Sequence, residues 1–209
     1  MGWSAGRTNE AGQMRDWALA ILLVLAACDR PPPEDRRGDA PGFAEKALAP
    51  YPGVKLKYYL VEGVTPDALA NSMREQNLMG EEQNGRFAVG VTRWNGSWRL
   101  PPGPNGECDP ARMEIYIDVT VFIPQLANEN ASPEVRRQWG NFVADVVEHE
   151  AEHVRLIYEY KPKLITAMTT ASCGSAESAG QAVIAELREA NARFDAEDEQ
   201  RHAGMPMFQ

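Results

Sequence analysis

The sequence predicts an α+β domain in which a small, largely antiparallel sheet packs on long helices. Three observations predict it. Met113, Ile115, Ile117, Val119, Val121 and Ile123 alternate along one face of an extended segment, the period-2 signature of a strand with one buried side. From about Ser132 to Tyr160 the apolar residues recur with the 3.6-residue period of a helix,. A second stripe of that period, Val183, Ile184, Leu187, Ala190 and Phe194, runs between about Ser175 and Asp198,. The expected order is β-α-β-β-α-α, without internal repeats.

The first strand is expected over Val54–Val61. Thr65-Pro66-Asp67 then opens a helix to about Gln76, with a hydroxyl cap, Pro at the first helical position and an acid in the first turn,. A polar loop containing Gly80 and Gly85 follows. Arg86–Leu100 is extended and aromatic, with Thr92, Trp94 and Trp98 on one side; Asn95-Gly96 either folds it into a hairpin or lies within one long strand,. Pro101–Pro110 is a loop before the Met113–Ile123 strand. Ser132-Pro133-Glu134 repeats the cap, Pro and acid pattern at the start of the long helix, which Pro162 kinks or ends,.

The first residues belong to export rather than to the fold. Trp17–Ala27 is an apolar run of 11 residues behind Arg15, short of the roughly 20 that span a bilayer. A short apolar core behind a positive charge is a secretory signal. It ends in Leu25-Ala26-Ala27-Cys28, which resembles the lipobox of bacterial lipoproteins, so residues 1–27 are expected to be removed and Cys28 lipidated. Asp29 resembles the residue that retains such proteins at the inner membrane in some Gram-negative bacteria. A domain facing the periplasm is expected, secreted if Cys28 is not lipidated. Residues 28–50 lack periodicity and contain Pro31-Pro32-Pro33, so they read as a disordered tether to a domain over 51–209,. Of the 3 cysteines, Cys108 and Cys173 remain, and an oxidising compartment favours a disulfide between them,. The net charge of −9, with no basic cluster, excludes a nucleic-acid binder,.

The chemistry is concentrated in His149-Glu150-Ala151-Glu152-His153. Residues four apart lie one turn apart on one helix face, so His149 and His153 can share one metal ion. At about 100° per residue they fall in the arc of Trp139, Phe142, Val146, Ile157 and Tyr160, which is the core face,. Glu150 borders that arc, while Glu152 and Arg155 lie outside it. Two neutral imidazoles suit Zn²⁺, and an adjacent carboxylate suits a general base that takes a proton from water and returns it to a leaving amine. Asp145 is the nearest rival carboxylate, at the opposite edge of the arc.

Together Tyr58-Tyr59, Thr92-Arg93-Trp94, Ser97-Trp98-Arg99, Asp118-Val119-Thr120, Trp139, His149-Glu150, His153, both cysteines and the terminal Phe194-Asp195 and His202-Ala203-Gly204 carry a resemblance. From about Tyr58 to Gly204 the chain resembles a bacterial family of secreted zinc-dependent proteases, formally a domain of unknown function. Two departures stand out: Glu152 occupies a position where the family often has Gly, and the terminal Asp-to-His spacing is about two residues longer. The resemblance implies a zincin-like fold, and it makes His202 the preferred third ligand, with Asp195 orienting a ligand. Glu186 and Glu177 on the last helix are the alternatives. Glu159 is rejected, since a continuous helix points it to solvent roughly 9 Å along the axis from His153.

Two functions are compatible with these residues. One is a zinc metallopeptidase of the cell envelope, with Glu150 as base and a peptide or protein substrate. The other is a non-catalytic, metal-stabilised envelope module that binds a partner through its sheet and Trp surface.

Overall fold

The computed structural model describes residues 40–76, 78, 88–127, 130–203 and 207–208. The expected signal peptide, Cys28, the first part of the tether and most of the Gly80–Gly85 loop lie outside the described residues. The elements run α1 (Ala40–Leu48), β1 (Lys55–Val61), α2 (Pro66–Gln76), β2 (Val91–Arg99), β3 (Glu114–Leu126), α3 (Pro133–Thr170) and α4 (Ala176–His202), with one 3₁₀ turn at Pro110–Arg112.

Local chemistry sets the helix starts where the sequence places them. The Ser132 hydroxyl accepts from the Val135 amide at 3.2 Å and Pro133 fills the first turn of α3. Thr65 does the same for α2, accepting from the Ala68 amide at 3.3 Å. Pro162 does not end α3, which continues to Thr170.

The sheet has three strands in the order β1-β3-β2. β3 is central, antiparallel to β2 and parallel to β1, so the sheet is mixed rather than largely antiparallel. β2 is one continuous strand, with Gly96 paired to Ile117 instead of turning a hairpin. Val119, Val121 and Ile123 of β3 are at most 2% exposed and pack into the core with Trp139, Val143, Val147, Val154 and Ile157 of α3. Trp94 and Trp98 share the helix-facing side of the sheet with Ile115 and Ile117.

The expected tether is corrected over its last residues. Residues 40–48 form α1, whose Ala44 and Leu48 are buried and whose Phe43 and Ala47 pack against the same core. Apolar residues at i, i+1, i+4 and i+5 make a stripe only two turns long, so burial against the core rather than local periodicity defines this helix.

α4 runs back along α3. Ile184 packs with Leu164 and Met168 near the turn between them, and Asp198 meets His149 far from it. Gly180 allows the approach, since a Cβ there would lie 2.8 Å from the Met168 sulfur. The disulfide between Cys108 and Cys173 ties the loop before β3 to the α3–α4 turn, as expected. Among the described residues no helix is long and apolar enough to cross a membrane.

Candidate metal centre

His149 and His153 lie one turn apart on α3, with ring Nε2 atoms 3.1 Å from each other. The third group comes from α4. Asp195 Oδ1 lies 3.0 Å from His153 Nε2 and 3.5 Å from His149 Nε2. These three residues form the one cluster of metal-ligating side chains among the described residues.

The outer ring nitrogens are held separately. His153 Nδ1 lies 2.6 Å from Asn191 Oδ1, and the Asn191 amide nitrogen donates to the Leu187 carbonyl at 2.8 Å. That second bond fixes the amide so that its oxygen faces the ring. An amide oxygen only accepts, so His153 carries its proton on Nδ1. His149 Nδ1 lies 2.9 Å from Asp198 Oδ2, a carboxylate that also accepts. In the neutral rings both Nε2 lone pairs therefore point at each other and at the Asp195 oxygen.

Three acceptors converging this closely need a cation. Ligand atoms on a tetrahedral ion at about 2.0–2.1 Å sit roughly 3.3 Å apart, and the separations here are 3.1, 3.0 and 3.5 Å. Two imidazoles and a carboxylate, with the imidazoles oriented by hydrogen bonds at their far nitrogens, are a donor set that fits a divalent metal. Protons compete for the same place. Burial works against charging His149, but its hydrogen bond to Asp195, the Glu150 charge and Asp198 outweigh that and raise its pKa. His153 is raised in the same way by Asp195 and Asn191 against burial. Burial pushes Asp195 up, but the two histidines outweigh it and hold its carboxyl well below the usual range.

Phe194 covers the pair from α4, its ring centroid 4.9 Å from that of His149 and 5.2 Å from that of His153. Asp195 is the exposed member, with 55% of its side chain accessible against 14% for His153, so the cluster opens to solvent on the α4 side.

Glu150 is the one buried charged residue among the described residues, at 4% exposure. It lies deeper than the edge position expected from the helical arc, while Asp145 is exposed. Burial raises its pKa, and only partly do a bond from Thr92 and the nearby histidines oppose this. The Thr92 hydroxyl lies 2.7 Å from Glu150 Oε2 and 3.3 Å from the Glu150 carbonyl. Gly90 backs the same carboxylate: a Cβ there would lie 2.7 Å from Oε1 and 2.6 Å from a Val146 methyl. Tyr59 holds this stretch by donating to the Val89 carbonyl at 2.6 Å.

The expected third ligand is corrected. His202 is exposed in the last turn of α4, its Nδ1 3.0 Å from the Asp198 carbonyl. Seven residues separate it from Asp195, roughly 10 Å along the helix, too far to meet the same ion. Glu186 is exposed. Glu177 accepts from the Trp98 indole at 2.6 Å. Glu159 pairs with Arg155 at 2.7 Å, in keeping with its rejection. Asp195, expected to orient a ligand, joins the cluster directly, and the orienting contacts come from Asn191 and Asp198. Their signal was in the sequence: Asn191, Asp195 and Asp198 follow i, i+4, i+7 spacing and continue the Leu187–Phe194 face as polar residues,.

Residues 56–203 match the family model described as "Bacterial protein of unknown function (DUF922)". The chain belongs to that family. The match runs from β1 to the end of α4 and takes in every residue of the cluster. No curated protein and no solved structure matches the chain. The DUF922 domain therefore has a family whose description names no activity, and its function rests on the chemistry of its site.

Proposed function

We propose that this DUF922 domain is a zinc-dependent peptidase of the bacterial envelope. The observation that carries the reading is the convergence of His149 Nε2, His153 Nε2 and Asp195 Oδ1, with both far ring nitrogens locked, next to the buried carboxylate of Glu150. Three protein ligands leave a fourth position open on a tetrahedral ion, which separates catalytic from closed structural zinc.

When bound, Zn²⁺ supplies a Lewis acid for the scissile carbonyl and brings the pKa of water toward about 7. The chain's own residues do the rest. Glu150 accepts the proton of the attacking water and delivers it to the leaving amine. Thr92 bonds one carboxylate oxygen and leaves Oε1 for the proton. Asp198 and Asn191 keep the histidines in the metal-binding tautomer. The exposed side of Asp195 is where a polypeptide enters.

The envelope part of the proposal rests on the Leu25-Ala26-Ala27-Cys28 pattern: Cys28 becomes the lipidated N-terminus that anchors the domain. A Cys28→Ser protein that still fractionates with membranes would overturn it.

One observation favours the second reading, a metal-stabilised module without catalysis: Glu150 is buried and already bonded to Thr92. Its docking surface would not be the tryptophans, which face the helices. The two readings part at Glu150→Gln. The peptidase keeps stoichiometric zinc and loses peptide cleavage by orders of magnitude; the module is indifferent. A wild-type domain without bound zinc after export would sink the peptidase.

A further inference from the structure

The two halves of α4 are held on α3 by different means. Over the first half Ala176, Gly180, Ile184, Leu187 and Ala190 are buried at helical spacing, and Ile184 packs with Leu164 and Met168 of α3. From residue 191 to residue 202 no side chain is buried. This half meets α3 through the metal centre: Asn191 at His153, Asp198 at His149 and Asp195 at both rings, with Phe194 laid over the imidazoles. We propose that residues 191–202 are a metal-locked arm, which an ion at the cluster fastens to α3 and which lifts when the ion is withdrawn. This rests on the metal centre and not on peptide cleavage.

Apolar burial holds the first half with or without an ion, because it depends only on removing surface from water. The second half lacks that contribution. A hydrogen bond between groups that water can reach replaces one made to water, and its net worth is small. Asp195, near the middle of the arm, is exposed. A helical segment this short is marginal when little packs on it. An ion shared between the helices changes the balance. His149 and His153 stand on α3 and Asp195 on the arm, so the free energy of binding the ion is added to the docking of the arm.

The arm is pinned beyond both of its ends. Leu187 and Ala190 are buried before it. After it, Phe208 packs on Trp139 and Phe142 near the start of α3, with ring centroids 6.2 and 5.0 Å away. An arm fixed at both ends lifts as a loop and returns to the same seat, since closing a short loop costs little chain entropy. Lifting carries Asp195 away and leaves two imidazoles. The same motion is therefore the route by which the ion enters and leaves.

Hydrogen exchange read by mass spectrometry on the full mature chain, with zinc counted by elemental analysis, tests this. In chelated protein the amides of residues 193–201 should exchange fast and with little dependence on urea, as local openings do, while those of residues 184–190 wait for a larger unfolding. Free zinc at about 100 times Kd should slow the arm by about 100-fold. Asp195→Ala should keep the fast pattern in the same zinc, and His202→Ala should respond as the wild type does. If the arm and the first half exchange alike in chelated protein, or if bound zinc leaves the exchange of the arm unchanged, the arm is not metal-locked and the metal centre still stands. A wild-type chain that binds no zinc overturns the metal centre and the arm together.

Discussion

Asn191 determines which nitrogen of His153 faces the cluster. Its amide nitrogen is committed to the Leu187 carbonyl at 2.8 Å, so its oxygen meets His153 Nδ1 at 2.6 Å, and the Nε2 lone pair is left facing His149 and Asp195. The arrangement spends a side chain of α4 to orient one of α3. Replacing Asn191 with Leu should remove the acceptor, release the tautomer and lower zinc affinity by about 10- to 100-fold. Asn191→Asp, which keeps an acceptor there, should lose much less. Competition with a chelator of known affinity reads the difference, and equal affinities in the two variants would contradict the tautomer argument.

The third ligand gives a sharper contrast. Asp195→Ala should lose zinc by more than the roughly 10- to 100-fold of an orienting contact, since two imidazoles remain. His202→Ala should bind as the wild type does, because His202 stands outside the cluster and meets Asp198, its carbonyl at 3.0 Å and its Oδ1 at 3.5 Å. Elemental analysis after dialysis decides it; zinc lost from His202→Ala and kept in Asp195→Ala would reverse the assignment.

These residues mark where the sequence was legible. The long helix, its Ser132 cap, the inward face of β3 and the inward-turned histidine pair follow from periodicity, and each depends on neighbours within one or two turns. The parallel pairing of β1 with β3 does not, because strand partners are chosen across the whole fold. α1 was missed because its stripe is two turns long in a proline-rich stretch. The third ligand was missed for a different reason. The family resemblance favours His202, while continuing the α4 period past Phe194 puts Asn191, Asp195 and Asp198 on the face that meets α3.

Gly90 has no room for a side chain. A Cβ at 2.7 Å from Glu150 Oε1 and 2.6 Å from a Val146 methyl must push the Glu150 and Val146 side chains aside. Gly90→Ala should cost about 1–3 kcal/mol of stability, as overpacked cores do, and should lower peptide cleavage more than zinc binding. Denaturant unfolding with zinc titration checks this, and a variant of wild-type stability would show that the β2 approach is looser.

The Cys108–Cys173 disulfide spans 65 residues of sequence, a closure worth about 4 kcal/mol in the chain-entropy model. Replacing both cysteines with Ser should lower stability by up to about that amount while the zinc ligands stay in place. Unfolding under oxidising conditions measures it, and an unchanged midpoint would mean that the turn is held by packing alone.

The response to pH should change sign with zinc. His149 and His153 have pKa values raised above 6.5 in the folded, metal-free protein. Their contribution to stability is therefore fully present below 6.5, the unfolded value, and is lost as pH rises through the folded values. Glu150, raised above 4.5 by burial, acts in the same direction, because the fold disfavours its charged form. From about pH 6 to 8 the metal-free native state binds more protons than the unfolded chain, so its stability should fall with rising pH. Asp195, lowered below 3.8, adds stability that is present above that value and lost on further acidification. Zinc inverts the upper limb. It binds unprotonated imidazoles, so protons compete with it and zinc-loaded stability should rise over the same window. Thermal melts between about pH 6 and 8, with chelator and with excess zinc, should give slopes of opposite sign. A metal-free protein that gains stability toward pH 8 would mean that the paired imidazoles are not the proton-binding groups of the empty centre.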